Sequence, residues 1–167
     1  KDCMETLSVE KGTILQSPDT DSRHGCFVMQ GLLRSYFVDD AGKEYTMIFA
    51  PQGWTIGDLE AFGFNRKTRL VLEALEFSVV RKFDLRDVAS GHSPDLAIEL
   101  KHMHRRVGAL QLRVLMLMST SALDRYEYFL QTYPELSNRV SQKLIASYLG
   151  VTPQALSTIR KRRVKSE

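Results

Sequence analysis

The chain has 167 residues, 43% of them hydrophobic and 26% charged, with 23 Lys/Arg against 20 Asp/Glu for a net charge of +3. That length holds two small domains or one ordinary one, and the composition suits a soluble globular protein. No run approaches the ~18 apolar residues of a membrane helix, and the opening KDCMETLSVEKG lacks the apolar stretch of a signal peptide. Two cysteines, Cys3 and Cys26, are too few for a disulfide framework or a four-cysteine zinc or iron–sulfur site. A cytoplasmic protein with reduced thiols and no cofactor is therefore expected.

Residues 7–88 read as short strands. LSVEKGTILQS, GCFVMQGLLRSYFVD, EYTMIFAPQGW and LVLEALEFSVVRKF are rich in Val, Ile, Leu, Phe and Tyr. Turn signals separate them: SPDTDS, DDAGKE, APQG and GFNRK. Such spacing predicts an antiparallel sandwich or jelly roll.

The period changes at residues 94–118. Pro94 suits a first helical turn. Leu96, Leu100, Met103, Val107, Leu110, Val114 and Leu117 then alternate in steps of four and three, an a/d seam on one helix. Its flanks carry His102, His104, Arg105, Arg106 and Gln111. The seam must be covered, either by the chain's own strands or by a second copy, and dimerisation is expected. His102 and His104 lie two apart and do not share a helix face, so they are read as surface or seam residues and no metal is expected. A second helix is expected over 121–133, with Leu123, Tyr126, Phe129 and Leu130 as its apolar stripe and Pro134 ending it.

Charge is uneven along the chain. Residues 134–167 hold seven Lys/Arg against two Glu, a net of +5, which leaves the remainder at −2. The basic end coincides with QKLIASYLGVTPQALSTIRK at 142–161. There Ile145, Leu149, Leu156 and Ile159 have the spacing of two crossing helices, with small Ala146 at the crossing. Gly150 supplies positive φ, Val151 plugs the corner, Thr152 caps the next helix and Pro153 starts it. That is the helix-turn-helix pattern. It leaves Gln154, Ser157, Thr158 and Lys161 or Arg162 facing outward. Gln reads adenine through paired hydrogen bonds. Arg160, Lys161, Arg162, Arg163 and Lys165 are read as phosphate contacts. Double-stranded DNA is the expected partner. An enzyme on this framework is not expected, because only His24 lies among the strands and no His-x-His metal pattern or Ser-His-Asp set can be placed.

GTILQSPDTDSRHGCFVMQGLLRSYFVDDAGKEYTMIFAPQGWTIGDL and QKLIASYLGVTPQALSTIRKR together resemble the Crp/Fnr family of bacterial regulators, over nearly the whole chain. The likeness is nearest to the compact subgroup often found in Bacteroidetes. The resemblance implies an α+β protein: a cyclic-nucleotide-binding-like β jelly roll (1–92), a dimerisation helix (93–119) and a helix-turn-helix domain (120–167). The family commonly adds a β-hairpin wing after the recognition helix; the sequence stops at Glu167, so the wing is expected to be absent or removed. It also implies a homodimer on an inverted-repeat operator, RNA polymerase as a further partner, and an effector pocket at Gly57, Asp58, Leu59, Arg66, Thr68 and Arg69. Asp58 stands where nucleotide-binding members have Glu, and Thr68 stands where they have the phosphate arginine. Arg66, Lys67 and Arg69 are the candidates to replace it, and conventional cyclic AMP binding is not expected; any small-molecule effector is of unknown identity. In the recognition helix the resemblance places Pro153, Gln154 and Thr158 at the base-approaching positions. Many relatives have Arg at the last, so a different operator is implied. A degenerate ligand-binding or dimeric scaffold protein of the same fold, with weak or lost DNA binding, is the alternative, favoured by Pro153, Thr158 and the missing wing.

Overall fold

The computed structural model describes residues 5–91, 96–119 and 121–164. Cys3, His92, Pro94, Lys165 and the side chain of Leu96 lie outside this set. The strand region forms β1 (Glu5–Val9), β2 (Ile14–Gln16), β3 (His24–Gln30), β4 (Leu32–Val38), β5 (Glu44–Pro51), β6 (Thr55–Ile56), β7 (Val71–Ala74) and β8 (Ser78–Asp84). One short helix, α1 (Leu59–Gly63), interrupts it and another, α2 (Leu85–Ala89), follows β8. The strands make two antiparallel four-stranded sheets, ordered β1-β8-β3-β6 and β2-β7-β4-β5. This is the expected jelly roll. Its inner faces bury Val28, Leu33, Ile48, Ile56, Leu72 and Val80.

The helical part comprises α3 (Leu96–Ser119), α4 (Ala122–Thr132), α5 (Gln142–Leu149) and α6 (Pro153–Val164). Ser121 starts α4 with a reciprocal cap: its hydroxyl accepts from the Asp124 amide at 3.2 Å, and the Asp124 carboxylate accepts from the Ser121 amide at 3.1 Å. Tyr126 and Phe129 of the expected stripe are buried, Leu130 is half-buried, and Leu123 is exposed.

β5 is an edge strand, and an uncovered edge exposes unpaired backbone groups. Here α5 covers it. The Ser147 hydroxyl accepts from the Thr46 amide at 2.9 Å and donates to the Glu44 carbonyl at 2.8 Å. Above that contact, Phe49 of β5 enters the helical layer. Its ring lies 5.6 Å from Tyr148, 5.8 Å from Tyr133 and 6.3 Å from Phe129. The Trp54 ring lies 5.5 Å from Tyr133, tilted against it. Sandwich and helices thus share one continuous apolar core.

The α3 seam divides. Met103 and Leu110 pack inward on the chain's own core. Leu100, Val107 and Val114, spaced by seven, remain 41%, 42% and 55% exposed, and Leu117, in step with Met103 and Leu110, is 41% exposed at the end of the seam.

Candidate nucleic-acid interface and effector pocket

The helix-turn-helix is built from local signals. Ser141 caps α5, and Gly150 ends it at φ 68°, ψ 32°, a left-handed conformation that costs glycine little. The Thr152 hydroxyl accepts from the Ala155 amide at 3.2 Å and opens α6. Ile145, Leu149 and Leu156 are fully buried and Ile159 is 8% exposed, so one face of α6 is pinned to α5. The opposite face carries Pro153, Gln154, Thr158, Lys161 and Arg162 in the open, with Ser157 and Arg160 half-exposed.

Thr158 and Arg163 of α6 make internal bonds. The Thr158 hydroxyl donates to the Gln154 carbonyl at 3.1 Å. Its lone pairs are left to accept, for instance from a base amino group. Arg163 reaches back to Glu127 of α4 at 2.7 Å, so it ties α6 to the helical layer while its neighbours Lys161 and Arg162 stay outward.

The residues singled out for an effector do not all converge. Asp58 caps α1: one carboxylate oxygen accepts from the Ala61 amide at 3.0 Å, the other from the Thr68 hydroxyl at 2.6 Å. Thr68 also accepts from Gln16 at 3.0 Å and from the Leu70 amide at 2.9 Å. Both residues are buried. Gly57 passes close to β3, where a Cβ would lie 3.2 Å from the His24 carbonyl oxygen. Leu59 packs against the Phe83, Leu85 and Val88 cluster. Arg66 pairs with Glu60 at 3.3 Å on the surface, and with Lys67, Arg23 and Arg86 it lines a separate cleft. Of the candidate cations, only Arg69 lines the 660 Å³ cavity beside Asp58, together with Asp39, Asp40 and Glu60. One guanidinium among four carboxylates is a poor receptor for a cyclic phosphate.

Three contributors to this region escape sequence reading. Arg106 of α3 is 6% exposed and donates to the Gly57 carbonyl. Burial pulls its guanidinium down to about 10, with Asp58 opposing, so it remains a cation at neutral pH. Arg113 donates to the Met47 carbonyl of β5 and lies 4.3 Å from the centre of the Tyr148 ring. Ser147 makes the edge contact described above. Two arginines seven apart, and so on one face of α3, were the available signal, but spacing does not reveal their partners.

Elsewhere, burial pushes the Cys26 thiol up to about 11, which leaves it an unreactive thiol. His102 packs its ring 5.0 Å from Phe27, and His104 is exposed. Among the described residues, no group of three or more His, Cys, Asp or Glu is arranged to hold a metal ion, and no helix is long and apolar enough to cross a membrane.

No known family profile and no curated protein matches the chain. Many solved structures do. FixK2 from Bradyrhizobium japonicum matches with a TM-score of 0.80 at 20% identity, over 98% of this chain and 85% of that one. A CooA mutant from Carboxydothermus hydrogenoformans gives 0.75 at 21%, over 98% and 77%. A CRP/FNR-family transcriptional regulator from Thermus thermophilus gives 0.70 at 18%, over 97% and 87%. At such identities the likeness concerns architecture: the chain has the fold of Crp/Fnr-type transcriptional regulators, a β jelly roll joined by a long helix to a helix-turn-helix.

Proposed function

We propose that this chain is a sequence-specific, DNA-binding transcriptional regulator that acts as a homodimer, and that its activity is binding and not catalysis. The observation that carries the reading is α6. Leu156 and Ile159 anchor one face, while Gln154, Thr158, Lys161 and Arg162 stand outward on the other. A helix held this way and led by a sharp left-handed turn is shaped to enter a major groove. Gln154 reads a base edge, Ser157 and Thr158 contact bases or phosphate, and Arg160, Lys161 and Arg162 supply phosphate attraction.

The dimer reading is supported by Leu100, Val107 and Val114, a heptad-spaced apolar row that the chain's own strands leave exposed. Two copies joined along α3 would present two recognition helices to an inverted repeat. In functional terms residues 1–92 serve as scaffold or sensor, 93–119 as the dimerising helix and 120–167 as the reader. RNA polymerase is the further partner this role calls for, and the cytoplasm is where it would operate. The sequence likeness to the compact Bacteroidetes-type subgroup belongs to this same reading.

The test is selection of bound DNA from a random duplex library, with purified protein and no added ligand. A symmetric enriched motif is the expected result. No enrichment at low salt, where phosphate contacts are strongest, would overturn DNA reading by the unliganded chain and favour the degenerate scaffold.

A further inference from the structure

Arg106 and Arg113 interrupt the apolar pattern of α3 seven residues apart. They share a helix face and sit about 10 Å apart along its axis. Each donates to a backbone carbonyl of the jelly roll, Arg106 to Gly57 and Arg113 to Met47. Arg113 also lies against Tyr148 of α5, whose neighbour Ser147 holds the β5 edge. Arg105, on the adjoining face, covers Trp54 at 4.5 Å. One helix therefore joins the 57–68 segment at one level and the helix-turn-helix at the next.

The 57–68 segment is already satisfied from within the chain. Both Asp58 carboxylate oxygens accept internal bonds, its carbonyl accepts from the Ser22 hydroxyl at 3.0 Å, and the Thr68 hydroxyl donates to Asp58. The Gly57 carbonyl is taken by Arg106. These polar groups have the partners that a ligand would otherwise have to supply.

We propose that Arg106 and Arg113 are positioning residues that make α3 a brace between the self-satisfied 57–68 segment and α5, setting the orientation of the helix-turn-helix with no effector bound. The brace deepens the DNA-reading proposal, but its geometry is testable without DNA. Amide exchange on the full chain is the measurement. Arg106→Met and Arg113→Met should each speed exchange in α5 and α6 about tenfold or more while β3 and β8 keep their protection. Operator affinity without added nucleotide should fall about tenfold. Arg113→Lys, which keeps charge and loses the planar fork, should recover only part of the protection. As the conservative change, Arg113→Lys also keeps the test open where an Arg→Met variant fails to fold, and Ser147→Ala, which cuts the α5 tie to β5 without touching α3, sets the scale for losing one tie. Unchanged α5–α6 exchange in the folded variants overturns the brace. So does wild-type protein whose α5–α6 exchange slows about tenfold on saturation with cyclic AMP or cyclic GMP, since orientation would then depend on an effector. Failure of the duplex selection would remove the DNA reading alone, because exchange still decides the brace.

Discussion

Phe49→Ala tests whether the sandwich and the helices share a single core. Phe49 sits on β5 with no exposed surface, and its three aromatic partners all come from the helical part: Tyr148, Tyr133 and Phe129. Truncating a buried Phe to Ala costs about 3–5 kcal/mol in lost transfer energy and cavity formation. Three ring contacts at 5.6–6.3 Å argue for the upper part of that range. Total stability of a domain is about 5–15 kcal/mol, so the loss is large. With a urea slope of about 1–3 kcal/mol per molar, the midpoint should drop by about 1 M or more. Urea unfolding should be followed by circular dichroism for the helices and by fluorescence of Trp54, the sole tryptophan, which stands against Tyr133 at the junction. Protein concentration must be held fixed, because dimerisation shifts the apparent midpoint. The two signals should coincide in wild type and fall together in the variant. A loss under about 1 kcal/mol, typical of surface positions, or separate wild-type transitions, would refute the shared core.

Three further outcomes follow from the geometry. Lys161→Ala with Arg162→Ala should weaken duplex binding across sequences and lower the salt slope by about one per lost phosphate contact, whereas Gln154→Ala should cost about 1–3 kcal/mol at one base position; an unchanged slope would remove Lys161 and Arg162 from the interface. Val107→Asp or Val114→Asp should give monomers in sedimentation, and a persistent dimer would show that the exposed α3 row is not the interface. Stability should fall with acid. Burial, followed by Lys82, holds His24 below its ordinary 6.5. The Arg86 side-chain bond, chiefly, holds Asp84 below its ordinary 3.8. Each group binds fewer protons folded than unfolded. Its contribution is therefore complete above its ordinary value and lost as pH drops below it. The melting temperature should decline as pH falls through His24's ordinary 6.5, and again as it falls through Asp84's ordinary 3.8. His24→Gln should flatten the first decline, and a wild-type midpoint flat down to pH 5 would contradict it.

Much of this protein is legible from residues a few positions apart. Ser141, Gly150, Thr152 and Pro153 specify α5, its left-handed exit and the start of α6 because caps and turns are settled within one or two helical turns. The strands are visible for the same reason, as short β-rich runs between turn residues. The alternating apolar row likewise marks α3. Which half of that row turns inward was decided only by packing: Met103 and Leu110 meet the chain's own core, while Leu100, Val107 and Val114 do not. The effector residues show the limit most plainly. Alignment to a known pattern finds Asp58 and Thr68, but only the fold reveals that they bond each other and that Arg66 faces another cleft. Arg106, Arg113 and Ser147 carry no local signature, since their partners lie 49, 66 and about 100 residues away in sequence. A side chain's type sets which bonds it can make. Only the folded chain sets which backbone groups are left unpaired within its reach, and those unpaired groups on the β5 edge and at Gly57 are what give these three residues their roles.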